Sequence, residues 1–131
     1  MVAPTRFGVR RRFAYDEGRH PPAPVLPLHV GSPESDEDVL VASLVDSGAD
    51  CTLVPAAIVR RLALPFVGRL LLVGVGGQTR PAPVHAARVR LAGLSCLARV
   101  IAFDGEAIIG RDLLNRVTVL LDGPRLALSV R

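Results

Sequence analysis

The chain has no tryptophan and no lysine, only 2 cysteines, and an aromatic content of 4%. Each shortage excludes something. With so few rings, any core must be built from Val, Leu, Ile and Ala. A hydrophobic content of 50% is enough for one and argues against a wholly disordered chain. Cys51 and Cys96 provide neither a disulfide framework nor a metal-ligand spacing. They read as small buried apolar residues, and the compartment as the reducing cytoplasm. His20, His29 and His85 are scattered without ligand spacing, so no metal is expected. The longest apolar stretch, 62–77, contains Arg69 and ends in glycines, so no membrane span is expected. The early arginines precede no apolar run of the kind a secretory signal needs. All 16 basic residues are arginine and the net charge is +4, a usage read as coding bias rather than function.

What is present fits one domain. A length of 131 residues can bury a real core, and 11 prolines and 12 glycines cut the chain into many short segments. That pattern favours an all-β domain. Residues 1–23 form a basic and aromatic strand with a linker, and 24–131 form the main domain. Phe7, Val9, Phe13 and Tyr15 fall on alternate positions around Arg10-Arg11-Arg12. This is strand spacing with one aromatic face, preferred to a nucleic-acid arm because short charge clusters are common on solvated surfaces. No nucleic-acid partner is therefore expected.

Leu26, Leu28 and Val30 alternate as a strand, followed by an acidic loop at 31–38 and a strand at 39–45. Pro55 opens a short helix to Leu62. Residues 70–73 and 83–91 flank Gly74-Val75-Gly76-Gly77 as a glycine-tipped hairpin. Strands follow at 96–103 and 108–109, then a brief helix at 112–116. Residues 117–121 and 126–130 form a last hairpin. The glycine-rich tip is no phosphate cradle, because no Gly-Lys-Ser/Thr follows it. No cofactor is expected.

One segment carries chemistry. The apolar run Val39 to Val45 delivers Asp46, and Ser47-Gly48-Ala49 follows in a tight turn. A carboxylate at the end of a buried strand is costly unless something pairs or uses it. Later comes Ala107-Ile108-Ile109-Gly110-Arg111-Asp112, again an apolar strand ending at a glycine with a helical segment after it.

In these three parts the chain resembles the retropepsin-type aspartic proteases, over roughly residues 24 to 121. They are the Asp-Ser-Gly-Ala turn, the glycine-rich segment 72–78, and the Ile-Ile-Gly-Arg segment. The resemblance implies a closed all-β barrel with one or two short helices, assembled as a homodimer. It implies catalytic roles for Asp46, Ser47 and Gly48, with Ser47 bonding across the dimer. It implies peptide-binding roles for Leu44, Ala49, Asp50, Val73, Gly74, Val75, Gly76 and Ile108. Asp50 and Arg111 are implied as a structural ion pair. Two positions depart from the usual pattern: Ser47 stands where Thr is common, and Val73 where flaps often have Gly.

Only one such Asp occurs per chain. Amide hydrolysis by water needs a base for the water and an acid for the leaving group. Two carboxylates held close can share a proton and fill both roles. One Asp per chain then requires two chains related by a two-fold axis. The expected function is a homodimeric aspartic endopeptidase acting on peptides or proteins. The alternative is a dimer of the same fold that binds peptides without cutting them.

Overall fold

Alternation of apolar and polar residues governs most of the chain, and the strands follow it. The structure is a computed structural model and describes residues 10–131. Phe7 and Val9 lie outside the described residues. The elements in order are β1 (Arg11–Ala14), β2 (Val25–Gly31), β3 (Asp38–Val45), β4 (Leu53–Pro55) and α1 (Ala56–Arg61). Then come β5 (Phe66–Val73), β6 (Thr79–Leu91), β7 (Leu94–Phe103), β8 (Ile108–Ile109) and α2 (Arg111–Leu114). The chain ends with β9 (Val119–Asp122), a 3-10 turn over Gly123–Arg125, and β10 (Ala127–Val130).

Seven strands form one sheet in the order β2-β3-β8-β4-β7-β6-β5. β2 also pairs with β6, which closes six of them into a ring. The fold is thus an all-β barrel with two short helices. The long β6 serves three neighbours: β5 along its first half, β7 along its second, and β2 near its end. The ring closes around Leu26, Leu28, Val30, Val54, Val89, Leu91, Val100 and Ile109, all essentially inaccessible to solvent. Burying each such side chain stabilises the fold by roughly 1.5–3 kcal/mol. The core is aliphatic, as the near absence of rings requires. Among the described residues no helix is long and apolar enough to cross a membrane.

Two features differ from the sequence reading. The β5–β6 hairpin is much longer than expected, although Pro81 and Pro83 interrupt β6. Both prolines sit where β6 has a neighbour on one side only, since its pairing with β7 begins at Val84. Their missing N–H groups therefore cost no ladder bond. The hairpin projects beyond the barrel as an arm. The second helix also begins one residue earlier and ends sooner than the expected 112–116.

A second, three-stranded sheet has the order β1-β10-β9. Its inner face brings Phe13, Leu128, Val130 and Val119 onto the main core. β10 lies between its two neighbours and is buried along its whole length. The edges of this sheet are β1 and β9.

Candidate active site

β8 runs between β3 and β4, parallel to the first and antiparallel to the second. The loops that follow β3 and β8 therefore meet. Asp46 leaves β3 with its N–H donating to the carbonyl of Ile109 at 3.1 Å. Its own carbonyl accepts from the Ala49 N–H at 3.1 Å, which makes the turn. Its carboxylate Oδ1 accepts from the Gly48 N–H at 2.9 Å. A side chain at Gly48 would crowd that oxygen, since a Cβ would stand 3.1 Å from it. The carboxylate is half-buried at the mouth of this turn.

The second loop clasps the first. Gly110 packs so closely that a Cβ would lie 2.4 Å from the carbonyl oxygen of Cys51, leaving no room for any side chain. The Gly110 N–H donates to Thr52 Oγ1 at 3.2 Å, and the fully buried Thr52 hydroxyl donates to Asp112 Oδ1 at 2.7 Å. The Thr52 N–H reaches the other oxygen of Asp112 at 3.2 Å. The Arg111 N–H donates to the Ala49 carbonyl at 2.9 Å. The Thr52–Asp112 pair escapes a linear reading, because its partners are brought together only by the insertion of β8. Its one local signal is an Asp in the first turn after Gly110.

Arg111 reaches over the Asp46 turn. Its Nη1 donates to the Ser47 carbonyl at 2.8 Å, and its Nη2 bonds the Asp50 carboxylate. The pair is largely exposed, at 45% for Arg111 and 81% for Asp50. Solvent screening therefore limits the Asp50–Arg111 coupling to below about 1 kcal/mol. Arg111→Ala also removes the bond to Ser47, so it should destabilise more than Asp50→Ala, by on the order of 1 kcal/mol. Denaturant unfolding of both single variants and the double variant measures both terms. Equal costs for the two single variants would show that the Ser47 contact contributes nothing.

A groove of about 560 Å³ begins at Gly48. Ala49, Asp50 and Cys51 continue its floor, and Leu53, Leu70, Leu72 and Phe103 give it apolar walls. The arm of β5 and β6 covers it with Val73, Gly74, Gln78 and Arg80. Burial pushes the Cys51 thiol pKa up, the Asp112 and Asp50 carboxylates push it further, and Arg111 opposes them. Cys51 is accordingly a neutral wall residue and a poor nucleophile. His29 is engaged by Arg90 at 3.1 Å, and His85 packs edge-on to Phe66 at 5.7 Å. Among the described residues no group of His, Cys, Asp and Glu is arranged to hold a metal ion.

The residues singled out in the sequence fall in three places. Asp46, Ser47, Gly48, Ala49 and Asp50 share one turn, of which Gly48, Ala49 and Asp50 line the groove and Asp46 and Ser47 stand just before it. Val73 and Gly74 border the groove, whereas Val75 and Gly76 sit at the arm's tip, with Val75 fully exposed. Gly76 and Gly77 have φ of 89° and 78°, the left-handed region that glycine occupies readily. Leu44 and Ile108 pair side by side on β3 and β8 and lie outside this groove. Leu53, Leu70, Leu72, Cys51, Arg80 and Phe103 line it without having been singled out. Only the alternation of Leu70 and Leu72 on β5 could have flagged any of them.

No protein-family model matches this sequence, and no curated protein matches it. Among solved structures, the chain is similar to the EIAV protease complexed with the inhibitor HBY-793, with a TM-score of 0.57. The two are 22% identical, and the match covers 72% of this chain and 86% of that one. The fold is retropepsin-like.

Proposed function

We propose that the chain is an aspartic endopeptidase that works as a homodimer in the cytoplasm. The observation that carries this reading is the Asp46 turn. Its carboxylate stands at the end of β3, the turn is clasped by a second loop, and a groove with apolar walls begins two residues on, at Gly48, under a glycine-tipped arm. Among the described residues no second carboxylate is placed to share a proton with Asp46, so the acid and base roles divide between two chains. Across a two-fold axis, Asp46 and the Asp46 of a second copy would share one proton because two like charges so close cannot both ionise. The ionised member takes a proton from water as it attacks the peptide carbonyl. The protonated member hydrogen-bonds the developing oxyanion and then passes its proton to the leaving amine.

The neighbours supply positioning. Among the described residues the Ser47 hydroxyl has no hydrogen-bond partner, which leaves it available to a second copy. The Gly48 backbone can approach an extended peptide, and the arm's tip can fold over it. The edges of the three-stranded sheet bear on where a second copy docks. β1 begins with Arg11 and Arg12 directly after Arg10, and pairing like charges across an axis is unfavourable. β9 instead presents Leu120 and Leu121, exposed by 53% and 51%. It also follows α2 closely, which ties it to the Asp46 clasp. The β9 edge is the one that favours a second copy.

The reading is tested by incubating the full chain with a diverse peptide mixture between acidic and neutral pH, with and without a pepstatin-like inhibitor. The expected result is cleavage with a bell-shaped pH profile, since one carboxyl must be ionised and one protonated. The inhibitor should abolish it. Cleavage that survives the inhibitor but is lost to a chelator or a thiol reagent would overturn the reading.

A further inference from the structure

The groove holds one cation that the reading above does not use. Arg80 lies directly across from Leu72 in the β5–β6 pairing, as Ala82 lies across from Leu70. Opposed residues in an antiparallel pair share a face. Arg80 therefore projects from the same face of the arm as Leu70, Leu72 and Ala82, and it lines the groove with the two leucines. Its guanidinium carbon sits 4.8 Å from the centre of the Phe103 ring, on the wall opposite the arm. The Phe103 ring lies over Gly105. A Cβ on Gly105 would stand 2.9 Å from the ring edge, so the ring occupies space that only a glycine leaves open.

A solvated arginine on a barrel surface calls for no explanation. Arg80 differs in two respects. It is aimed into a cleft whose other walls are Leu53, Leu70 and Leu72. Among the described residues it also forms no ion pair, whereas Arg19, Arg88, Arg90, Arg111 and Arg125 all do. Stacking on a ring fixes the plane of a guanidinium while leaving its edge donors open. An oriented fork of unused N–H donors beside an apolar pocket recognises a carboxylate.

We propose that Arg80, stacked on Phe103, selects peptides carrying Asp or Glu within two residues of the apolar side chain that fills the Leu53–Leu70–Leu72 pocket. This rests on the groove being a peptide site, and so on the function proposed above. The arm supplies both elements of recognition, an apolar one from Leu70 and Leu72 and a charged one from Arg80.

The test uses one peptide library, derived from a proteome digest, at near-neutral pH and low salt. Peptides cleaved by the full chain are read for residue frequencies around the cut. Peptides retained by the full-length D46N variant are read in the same way. Acidic residues should be favoured over their amides by about fivefold to tenfold, the range between a screened pair and a charge-assisted one. Arg80→Gln should bring that ratio close to one, and Arg80→Glu should turn the preference toward Arg and Lys. Cleavage or retention with no acidic preference overturns the proposal, as does a preference that Arg80→Gln leaves intact. Retention with the acidic preference but no cleavage supports Arg80 and overturns the protease reading instead. Neither retention nor cleavage overturns both.

Discussion

Asp46→Asn abolishes peptide cleavage and leaves the chain folded and assembled. The two halves of this expectation have separate causes. Asn keeps the size of Asp and still offers an oxygen to the Gly48 N–H, the bond that the carboxylate accepts at 2.9 Å. The turn, the Ile109 contact and the Arg111 clasp therefore persist. What is lost is ionisation: an amide can neither take a proton from water nor hold one for the leaving amine. Losing a group of this kind lowers turnover by about 10⁴-fold or more. The measurement is single-turnover cleavage by D46N beside sedimentation and thermal unfolding. Cleavage at the wild-type rate would remove Asp46 from the mechanism, and loss of folding would show that the turn needs the charge.

Leu120→Glu or Leu121→Glu should dissociate the proposed dimer and remove the proposed activity without unfolding the subunit. Each leucine is about half-exposed, so a charge there is tolerated by the isolated chain. In a two-fold pair the same substitution appears twice, opposite or close to itself. It removes apolar contact from both copies and adds like charges at the edge. With roughly 1.5–3 kcal/mol for each buried leucine, counted twice, dissociation constants should rise by roughly 10²- to 10⁴-fold. Sedimentation over a wide concentration range reads this directly. If both variants still dimerise as tightly as the parent, a second copy docks elsewhere and β9 is an ordinary sheet edge.

The sequence made the Asp46 turn legible because that turn is local. An apolar run, an Asp, and a glycine two residues on already describe a strand ending in a turn whose N–H meets its own carboxylate. The core strand from Leu26 to Val30 was legible for the same reason, since its alternation needs no partner to be seen. The extent of the arm was not. Pro81 and Pro83 argue against a strand until it is known that β6 has one neighbour there. Thr52 with Asp112, and Arg80 with Phe103, are joined by the order in which strands lie side by side. No spacing along the chain announces them. The same holds for the pairing of β1 with β10, which links the first described strand to the last.

That pairing has a consequence for how the protein is made. Arg12 stands opposite Ser129, so the loop that must close between them spans nearly the whole domain. The entropy of closing it falls due before the contacts of the small sheet repay any of it. While the polypeptide is still being synthesised, β1 has no strand to pair with until residues 127–130 have left the ribosome tunnel. Until then its apolar partner-facing side, with Phe13 at its centre, is open to other nascent chains. The barrel from β2 to β8 can gather earlier in translation, but the small sheet forms only once β10 has emerged. Refolding should therefore be slow for a chain of this length, and the yield should depend on how dilute the newly made polypeptide is.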